Sequence, residues 1–562
     1  MRNFHFVLLL IIHVHGYNQC VALEEMCMIS KIGVEDSKFN TLPKSIPNKS
    51  KDCKDPSFKG GGLWLATLGL MQACERNPMI NVAVIDMLSA ILPRTFVESL
   101  TNWFAGFEAF RRESSGLVVN CLIPSFITMG VAAGLNRFVM PKNSNLSGCW
   151  ADSSLIDRIQ DIYTNSSKAD KTAETLRNLI KNIEGVDRND VVKLEKALSD
   201  SDIESYVSKL KEFAEKDLSK LSRKERRDAK KAIKQEIEKI SKNIAGKTHI
   251  YENITVTGEK QVKASTISTL LNDTVKFLNE YSNAQSGGEK IDMAEFAKLG
   301  KKLVRSKSLI GLAIVLPLAA SMQFINRWIT SKISGEKGAP IYVDFGKDKE
   351  HKQTNANHKQ EGLLKQKLIS ISSMITVGLL SMMKMPSMNM LEFKGIFPTM
   401  DQARIISTTT FSSRMAAAED KNELRESTIR DICTFLSLYF LGDYAAKGMA
   451  TAIQKHSGIS LLNDTKPLDK DAGALKKFWH WFKDVKLKSS EEVVGKNEAE
   501  IKKAVNLRSA CQLTNLGVSL ILLGLIIPIF TRKSTKKRHA EEIKIAQQQA
   551  LIPAYDAVKI SA

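Results

Sequence analysis

Long uncharged runs alternate with strongly charged segments along this chain. The clearest run, residues 511–530, carries no charged side chain over the roughly 20 residues that a helix needs to cross a hydrocarbon core about 30 Å thick. Basic residues follow it at once, namely Arg532, Lys533, Lys536, Lys537 and Arg538. Because Lys and Arg collect on the cytoplasmic side of membrane spans, this pattern predicts a transmembrane helix followed by a cytoplasmic basic tail.

The same criteria of length and absence of charge apply to the other apolar runs. Four of them are candidate spans: residues 114–136, 308–326, 368–383 and 432–446. The first two carry no charge and each contains a proline, which membrane helices tolerate when neighbours satisfy the freed carbonyl. The last two are weaker candidates. Residues 63–92 are also apolar, but Glu75, Arg76, Asn77 and Pro78 interrupt them, which predicts a helical hairpin, a re-entrant segment or a broken helix.

The segments between these runs are polar and rich in charge, so the chain divides into alternating membrane and soluble parts. The predicted order is a signal peptide or signal anchor (1–23), a linker (24–62), membrane or interfacial helices (63–142), a soluble basic helical domain (143–307), a transmembrane helix (308–330), a polar loop (331–367), membrane or interfacial helices (368–446), a soluble basic loop (447–510), a transmembrane helix (511–530) and the cytoplasmic basic tail (531–562).

The soluble domain is predicted to be helical because its apolar residues recur every three or four positions, as in Ile233, Ile237, Ile240 and Ile244. Two capping boxes, a Ser followed three residues later by a Glu, mark helix starts at Ser201 and Ser222. Residues 249–256 are the exception, since their alternation predicts a short strand pair or an extended loop.

The same order of parts occurs twice. Arg112-Glu113-Ser114-Ser115 leads into one apolar run, and Arg425-Glu426-Ser427-Thr428 leads into another. A charged insertion and a proline-bearing apolar run follow in each case. Residues 63–330 and 368–532 would then be related halves, as in many secondary transporters, whose inverted repeats meet at the bilayer midplane. The alternative is a chance match of four residues.

Charge and composition limit the classes of binding partner and of catalytic chemistry that the chain could have. The 562 residues carry a formal net charge of +20, which points to an anionic neighbour, and beside membrane spans this is the phospholipid surface. Nucleic acid is a poorer fit, because the basic residues are interleaved with acids. The eight cysteines form no Cys-x-x-Cys pair and the histidines form no His-Glu-x-x-His motif, so no catalytic, metal or cofactor site is predicted.

Polar residues inside apolar runs are the candidates for function, because a charge at bilayer depth is costly and normally faces protein or water. A polar path inside the membrane is predicted from Asp86, Asn120, Gln323, Asp443 and Lys447. Each has a plainer interpretation. Asp86 could lie near the interface among the headgroups, and the pair Asp443 and Lys447, four residues apart on one helical face, could mark the end of a helix at the interface.

The sequence therefore predicts an all-α, multi-pass membrane protein with a large soluble helical insertion, and no enzyme. The leading expectation for its function is a structural or interaction component. Its soluble residues, 151–307, would dock a protein partner or the anionic leaflet of the bilayer. The alternative is a secondary transporter or channel built from two related halves.

Overall fold

The computed structural model describes residues 77–334 and 362–545, apart from gaps at 102, 188–189, 219–220, 251, 259–260, 287–290, 383–389, 396, 469–471, 490–491 and 494–497 and isolated positions after 531, together with four single residues between 67 and 74. The chain divides into two compact units, residues 1–81 and 82–562. The predicted signal segment and linker, and most of the polar loop at 331–367, lie outside the described residues.

Helices make up most of both halves, which confirms the all-α class. Among the described residues, four π-helical segments, named π1 to π4, interrupt the helices. In the first half the elements are α1 Pro78–Ile85, π1 Asp86–Ile91, α2 Leu92–Thr101, α3 Trp103–Leu117, π2 Val118–Leu122, α4 Ile123–Val139, α5 Ser153–Asn165, α6 Lys171–Lys181, β1 Ile183–Asp187, β2 Asp190–Lys193, α7 Leu194–Ala197, α8 Asp200–Glu215, α9 Arg223–Thr248, β3 Glu252–Val256, β4 Val262–Thr266, α10 Ile267–Ser286 and α11 Met293–Ser334. In the second half they are α12 Leu363–Ser381, α13 Met400–Ala417, α14 Lys421–Leu436, π3 Ser437–Leu441, α15 Gly442–Ser457, β5 Leu462–Asp464, α16 Ala474–Asp484, β6 Val485–Leu487, α17 Glu498–Ser519 and π4 Leu520–Ile526.

Five helices in the described part of the chain are long and apolar enough to cross a membrane: Pro78–Leu100, Trp103–Val139, Met293–Ile333, Leu363–Ser381 and Glu500–Thr531. Four of them contain the predicted runs at 114–136, 308–326, 368–383 and 511–530, although the third run loses its last two residues. The fifth starts at Pro78, where the predicted interruption of 63–92 ends. The run at 432–446 is not among the five, because charged residues of α14 directly precede it.

The soluble insertion has its own hydrophobic core, which includes Ile159, Leu176, Ile180, Leu210, Ile244 and Phe277. Its helices accompany a four-stranded antiparallel sheet in the order β2-β1-β3-β4. Of the two interpretations of residues 249–256, a strand pair or an extended loop, the structure has one strand there, β3, which pairs with β4 and with β1. β1, β2 and β4 were not predicted, because strands of four or five residues are short for their alternation to stand out.

Helix starts follow the expected capping chemistry, with one correction. Ser222 and Glu225 form the predicted capping box at the start of α9. α8, however, is capped by Ser199, whose hydroxyl accepts from the Asp202 N–H, and not by Ser201. Both serines precede an acidic residue by three positions, so the spacing alone does not tell them apart.

The segment predicted as a soluble loop at 447–510 is largely structured. α15 continues to Ser457, β5 pairs with β6, and α16 stands between these strands. Tyr444 of α15 stacks on Phe482 of α16 with ring centroids 4.4 Å apart. The aromatic residues of α16 were expected in a loop, but their helical spacing lets them pack on α15.

A single helix of 42 residues, α11, joins the soluble core to the apolar helices. Phe296 and Leu303 near its start are buried in the soluble core. Val315 and Ala319 farther along are buried in a second cluster with residues of π2 and α13. The two regions are therefore connected by continuous helix, with Pro317 inside it.

Polar contacts reinforce this junction. The carboxylate of Glu392, in the segment before α13, accepts hydrogen bonds from the Ser153 N–H at 2.9 Å and from the Ser153 hydroxyl at 2.5 Å. Lys394 forms an ion pair with Asp152 at 2.6 Å. These residues hold the start of α5 against the second half.

The long helices of the two halves pack on one another reciprocally. α11, which closes the first half, packs against α13 of the second half, whereas π4, near the end of the second half, packs against π1 of the first. The pairs α4–α11 and α15–α17 also correspond, since each joins the helix before an insertion to the helix after it. The relation between the two halves remains a prediction.

Glycines permit two of these close approaches. A Cβ at Gly524 of π4 would stand 3.0 Å from the carbonyl oxygen of Ser89 in π1, and one at Gly442 would stand 2.0 Å from the side-chain oxygen of Asn515. Small residues at such crossings let helix backbones approach closely. A larger side chain at Gly442 would force α15 and α17 apart.

Burial of Asp273 in the soluble core predicts a pH-dependent stability. Burial raises the pKa of this carboxyl from 3.8 to about 6, against the opposing effects of Lys276 and the Trp150 N–H. Because the folded-state pKa lies above the unfolded one, this group favours folding at acidic pH, and its contribution falls as the pH rises through about 4 to 6. Asp273→Asn should therefore raise the free energy of unfolding at pH 7.5 by up to about 3 kcal/mol, and much less at pH 3.5.

Urea unfolding of the full chain in detergent, followed by tryptophan fluorescence at the two pH values, measures this difference. Asp200→Asn is the control, because the Asp200 side chain is 87% exposed. An equal gain for Asp273→Asn at both pH values would contradict the prediction.

Candidate functional site

A polar cavity of about 70 Å³ lies among the apolar helices and is lined by residues of both halves. We call it the charged cavity. The lining residues from the first half are Val82, Asp86, Ala90, Arg94, Val97, Glu98, Glu113, Gly116, Leu117, Asn120 and Cys121; those from the second half are Ser407, Thr410, Phe411, Arg414, Glu426, Arg430, Asp431, Thr434, Leu438, Tyr439, Leu523, Ile527, Pro528 and Thr531.

All four π-helical segments contribute to the wall of the charged cavity. Asp86 comes from π1, Asn120 from π2, Tyr439 from π3 and Leu523 from π4. A π-helical turn holds one residue more than an α-helical turn, so it rotates the following side chains and leaves backbone groups without their usual partners. Such turns occur often at functional sites. Their convergence on one cavity marks it as the candidate site.

A chain of ion pairs crosses the boundary between the halves. Arg94 binds one oxygen of Glu113 at 2.6 Å, and Arg414 binds the other at 3.2 Å. Arg414 also binds Asp431 at 2.8 Å, and Arg430 binds the same Asp431 oxygen at 3.0 Å. Arg414 is thus the bridge between a carboxylate of the first half and a carboxylate of the second.

The burial of this network makes it sensitive to the loss of any member. The side chains of Arg414 and Asp431 are 7% and 1% exposed. The second oxygen of Asp431 has no hydrogen-bond partner among the described residues. Removing one partner of a buried ion pair typically costs about 3–5 kcal/mol, because the other charge stays buried without compensation.

Neutral polar groups line another part of the charged cavity. The Thr410 hydroxyl donates to the side-chain oxygen of Asn120 at 2.8 Å, and the hydroxyls of Ser407 and Tyr439 are hydrogen-bonded to each other at 2.8 Å. The Asp86 side chain forms no hydrogen bond or ion pair with the part of the chain that the structure describes. Asp86 therefore differs from Glu113 and Asp431, whose charges are compensated.

The structure brings together two of the five predicted polar-path residues, Asp86 and Asn120. Gln323 is buried in α11, where its side-chain N–H group lacks a hydrogen-bond partner among the described residues, and it is not part of the cavity lining. Asp443 and Lys447 are likewise not part of this lining, and a polar path through all five residues remains a prediction.

Asp443 and Lys447, interpreted from the sequence as a neutralising pair or as a helix end at the interface, each form a hydrogen bond with another element. Asp443 accepts a hydrogen bond from the Asn515 side chain at 3.0 Å. The Lys447 ammonium donates to the Phe482 carbonyl at 3.2 Å and lies 4.7 Å from the centre of the Trp481 ring. Burial lowers the pKa of Lys447 to about 8, with Asp443 opposing this shift. The hydrogen-bond partners of Asp443 and Lys447 thus come from α17 and α16.

Sequence reasoning missed the charged members of the network. Arg94 stands near the start of α2 and Arg414 near the end of α13, and each is followed by its acidic partner, Glu113 after 19 residues and Asp431 after 17. That recurrence was a usable signal. Glu113 was noted only as part of the repeated motif, because charges beside an apolar run are normally attributed to the membrane interface.

A second polar cluster fixes the helices that frame the charged cavity. Arg111 of α3 donates to the Asn326 side chain at 3.0 Å and to the Thr330 hydroxyl at 2.8 Å, and Thr330 in turn contacts the buried Glu108. Arg327 forms an ion pair with Glu423 at the start of α14. α11 is therefore tied to both α3 and α14.

The side chains that line the charged cavity are suited to bind charged groups. Within the described ranges, no group of three or more His, Cys, Asp or Glu side chains is arranged to hold a metal ion. The arginines can pair with anions, the carboxylates with protons or cations, and the hydroxyls with either.

The bridging role of Arg414 predicts strong energetic coupling with Glu113. Arg414→Ala and Glu113→Ala should each destabilise the chain, whereas the double variant should lose less than the sum, with a coupling energy of about 0.5–3 kcal/mol. The midpoint and slope of chemical unfolding in detergent give the four free energies of this cycle. The exposed pair Lys181 and Asp200 is the control, for which at most about 1 kcal/mol is expected. Additive losses at Arg414 and Glu113 would contradict the bridge.

No known protein family matches the chain, and neither a curated protein nor a solved structure is significantly similar to it. The inference of function therefore rests on the charged cavity and on the arrangement of the helices around it.

Proposed function

We propose that the chain is a multi-pass membrane protein that moves a small charged species across the bilayer by secondary transport. The observation that carries the proposal is the charged cavity, in which ionisable side chains of two candidate spans, Pro78–Leu100 and Trp103–Val139, meet ionisable side chains of α13 and α14. Ionisable residues inside membrane spans are rare, because each costs several kcal/mol, and they normally mark the route of an ion or substrate.

The buried ion pairs of the charged cavity support a transport function over a purely structural one. A scaffold needs stable helices and an exposed binding face, and apolar contacts supply both without buried charges. Replacing a buried ion pair by apolar side chains of similar volume is often neutral or stabilising. The pairs of Arg414 with Glu113 and Asp431 are therefore better explained by a transport step than by stability.

The arrangement of the helices supports the same proposal. Many carriers place their site where two repeated halves meet, and interrupted helices line it. Here α13 and α14 of the second half meet α2 and α3 of the first at the charged cavity, and π-helical turns interrupt four of the helices. Reciprocal packing of α11 and π4 on the opposite half would let one half rock against the other.

A second candidate function, docking of an anionic partner or leaflet by residues 151–307, is favoured by α9. Ten of the 26 residues of this helix are Lys or Arg and four are acidic, and most of its basic side chains are exposed. Charge complementarity would recruit an anionic surface. Replacing Lys231, Lys234 and Lys242 by Glu in the full chain should release a partner bound in this way, and transport should continue.

Alternating access predicts that the charged cavity is reached by water from both sides of the membrane. Ser407→Cys, in a chain whose eight natural cysteines are replaced by Ala, should react with a membrane-impermeant thiol reagent both in intact cells and in inverted membrane vesicles. Leu380→Cys is the control, because this apolar side chain is 72% exposed and faces lipid in the proposed arrangement. It should react from neither side.

Mass spectrometry of the purified protein measures the labelled fraction. Reaction of Ser407→Cys from one side only, or from neither, would count against a carrier. The second candidate function, tested through α9, would then be the better explanation of the chain.

A further inference from the structure

The size of the charged cavity limits what it can hold in this conformation. Pockets for organic ligands measure about 300–1,000 Å³, whereas a single water molecule needs about 10–15 Å³. A cavity of about 70 Å³ therefore has room for a few water molecules or for an inorganic ion. The charged species bound in this closed state is accordingly small.

The carboxyl groups that line the charged cavity are not equivalent. Glu113 and Asp431 are bound by arginines, and Glu98 and Glu426 also have partners. Asp86 is the exception among the described lining residues, since its side chain forms neither a hydrogen bond nor an ion pair. Its position in π1 directs it to the cavity beside residues of π2 and π3.

A carboxylate that is buried without a hydrogen bond or an ion pair, beside arginines already bound to other carboxylates, is unstable as an anion. Desolvation of such a charge is so unfavourable that the group takes up a proton instead. The neutral oxygens of π2 and π3 that line the cavity are hydrogen-bonded to α13, since the Asn120 oxygen accepts from Thr410 and the Tyr439 hydroxyl is bonded to Ser407, and the described residues include no group of three or more His, Cys, Asp or Glu side chains that could hold a metal ion. The geometry therefore favours a proton over a metal cation at Asp86.

We propose that Asp86 is the proton-binding group of this protein and that transport is coupled to protons. The inference rests on the proposed transport function and identifies the coupling ion. In the step proposed, an oxygen of the Asp86 carboxylate accepts a proton from a hydronium ion that enters the open cavity, and a water molecule is left. The carboxyl is neutral while the cavity is closed and returns the proton to water on the other side.

The ion-pair network gives protonation a structural consequence. The charged and titratable groups that line the same cavity are Arg94 and Glu98 of α2, Glu113 of α3, Cys121 of π2, Arg414 of α13, Glu426, Arg430 and Asp431 of α14, and Tyr439 of π3; π4 contributes none. When Asp86 is ionised, its negative charge competes with Glu113 for the bridging Arg414. Loss of the proton thus weakens the link between the halves, and uptake restores it.

Infrared difference spectroscopy of the full chain in liposomes tests proton binding at Asp86. Acidification should produce C=O bands of protonated carboxyls, and Asp86→Asn should remove one component, whereas Asp273→Asn should remove a different one and leave the Asp86 component in place. Asp443→Asn should retain it, because Asp443 is bound to Asn515 outside the cavity. Asp86→Glu keeps a carboxyl and should restore the component at a shifted pH. Bands that Asp86→Asn leaves entirely unchanged would overturn the proposal.

Proton uptake driven by a potassium diffusion potential, read from a pH-sensitive dye trapped in the same liposomes, tests the coupling. Asp86→Asn should lower the initial rate at least tenfold, whereas Asp443→Asn should stay within twofold of the unmodified chain. An unaltered rate in Asp86→Asn would overturn coupling through this group. Thiol labelling of Ser407→Cys distinguishes failure of the proton proposal from failure of the transport proposal. Labelling from both sides, with infrared bands that Asp86→Asn leaves unchanged, would contradict only the proton proposal. Labelling from one side only would contradict the transport function itself.

Discussion

A charge buried among apolar helices persists only while all of its partners are in place. In this chain Arg414 has such partners on both sides, Glu113 of the first half and Asp431 of the second. The contact between the halves at the charged cavity is therefore electrostatic as well as apolar, and it depends on the protonation and position of very few atoms. Apolar packing is non-directional and tolerates small shifts, whereas these pairs hold only at hydrogen-bond distance.

The same constraint explains why the π-helical turns and the ion pairs occur together. Each extra residue in a turn rotates the side chains that follow it, which is how polar groups on four helices come to face one cavity. The turns also leave backbone groups that a packed apolar interface would not satisfy, so the irregular backbone is confined to the place where polar side chains and a small cavity are available. Regular helix, by contrast, surrounds the second polar cluster of Glu108, Arg111, Asn326 and Thr330.

The sequence predicted the helical class and the apolar runs well, because a charge-free run of about 20 residues is a strong signal whatever packs around it. Asp86 and Asn120 were found for the same reason, as polar residues in apolar surroundings. Arg94, Arg414 and Asp431 were missed because they stand beside apolar runs, where a charge normally faces water. Whether a flanking arginine reaches solvent or a carboxylate on another helix is decided by tertiary packing, which spacing along the chain does not contain.

Asp443 and Lys447 lie on one helix, as their spacing predicted, but the spacing did not predict their hydrogen-bond partners. Side chains four residues apart are neighbours on an isolated helix. In the folded chain Asn515 and the Phe482 carbonyl are better partners, and both come from elements far along the chain. β1 was missed for a related reason, because it depends on pairing with β3 some 70 residues later.

The length of α11 gives the soluble insertion a mechanical relation to the apolar helices. At 1.5 Å per residue, its 42 residues measure about 63 Å, and the part before Pro317 measures about 36 Å. A rotation of about 10° at this proline would displace the far end by about 6 Å, which is roughly one helical turn. α11 is thus a lever arm, through which a small change in the tilt of a helix beside the charged cavity becomes a displacement of the soluble core.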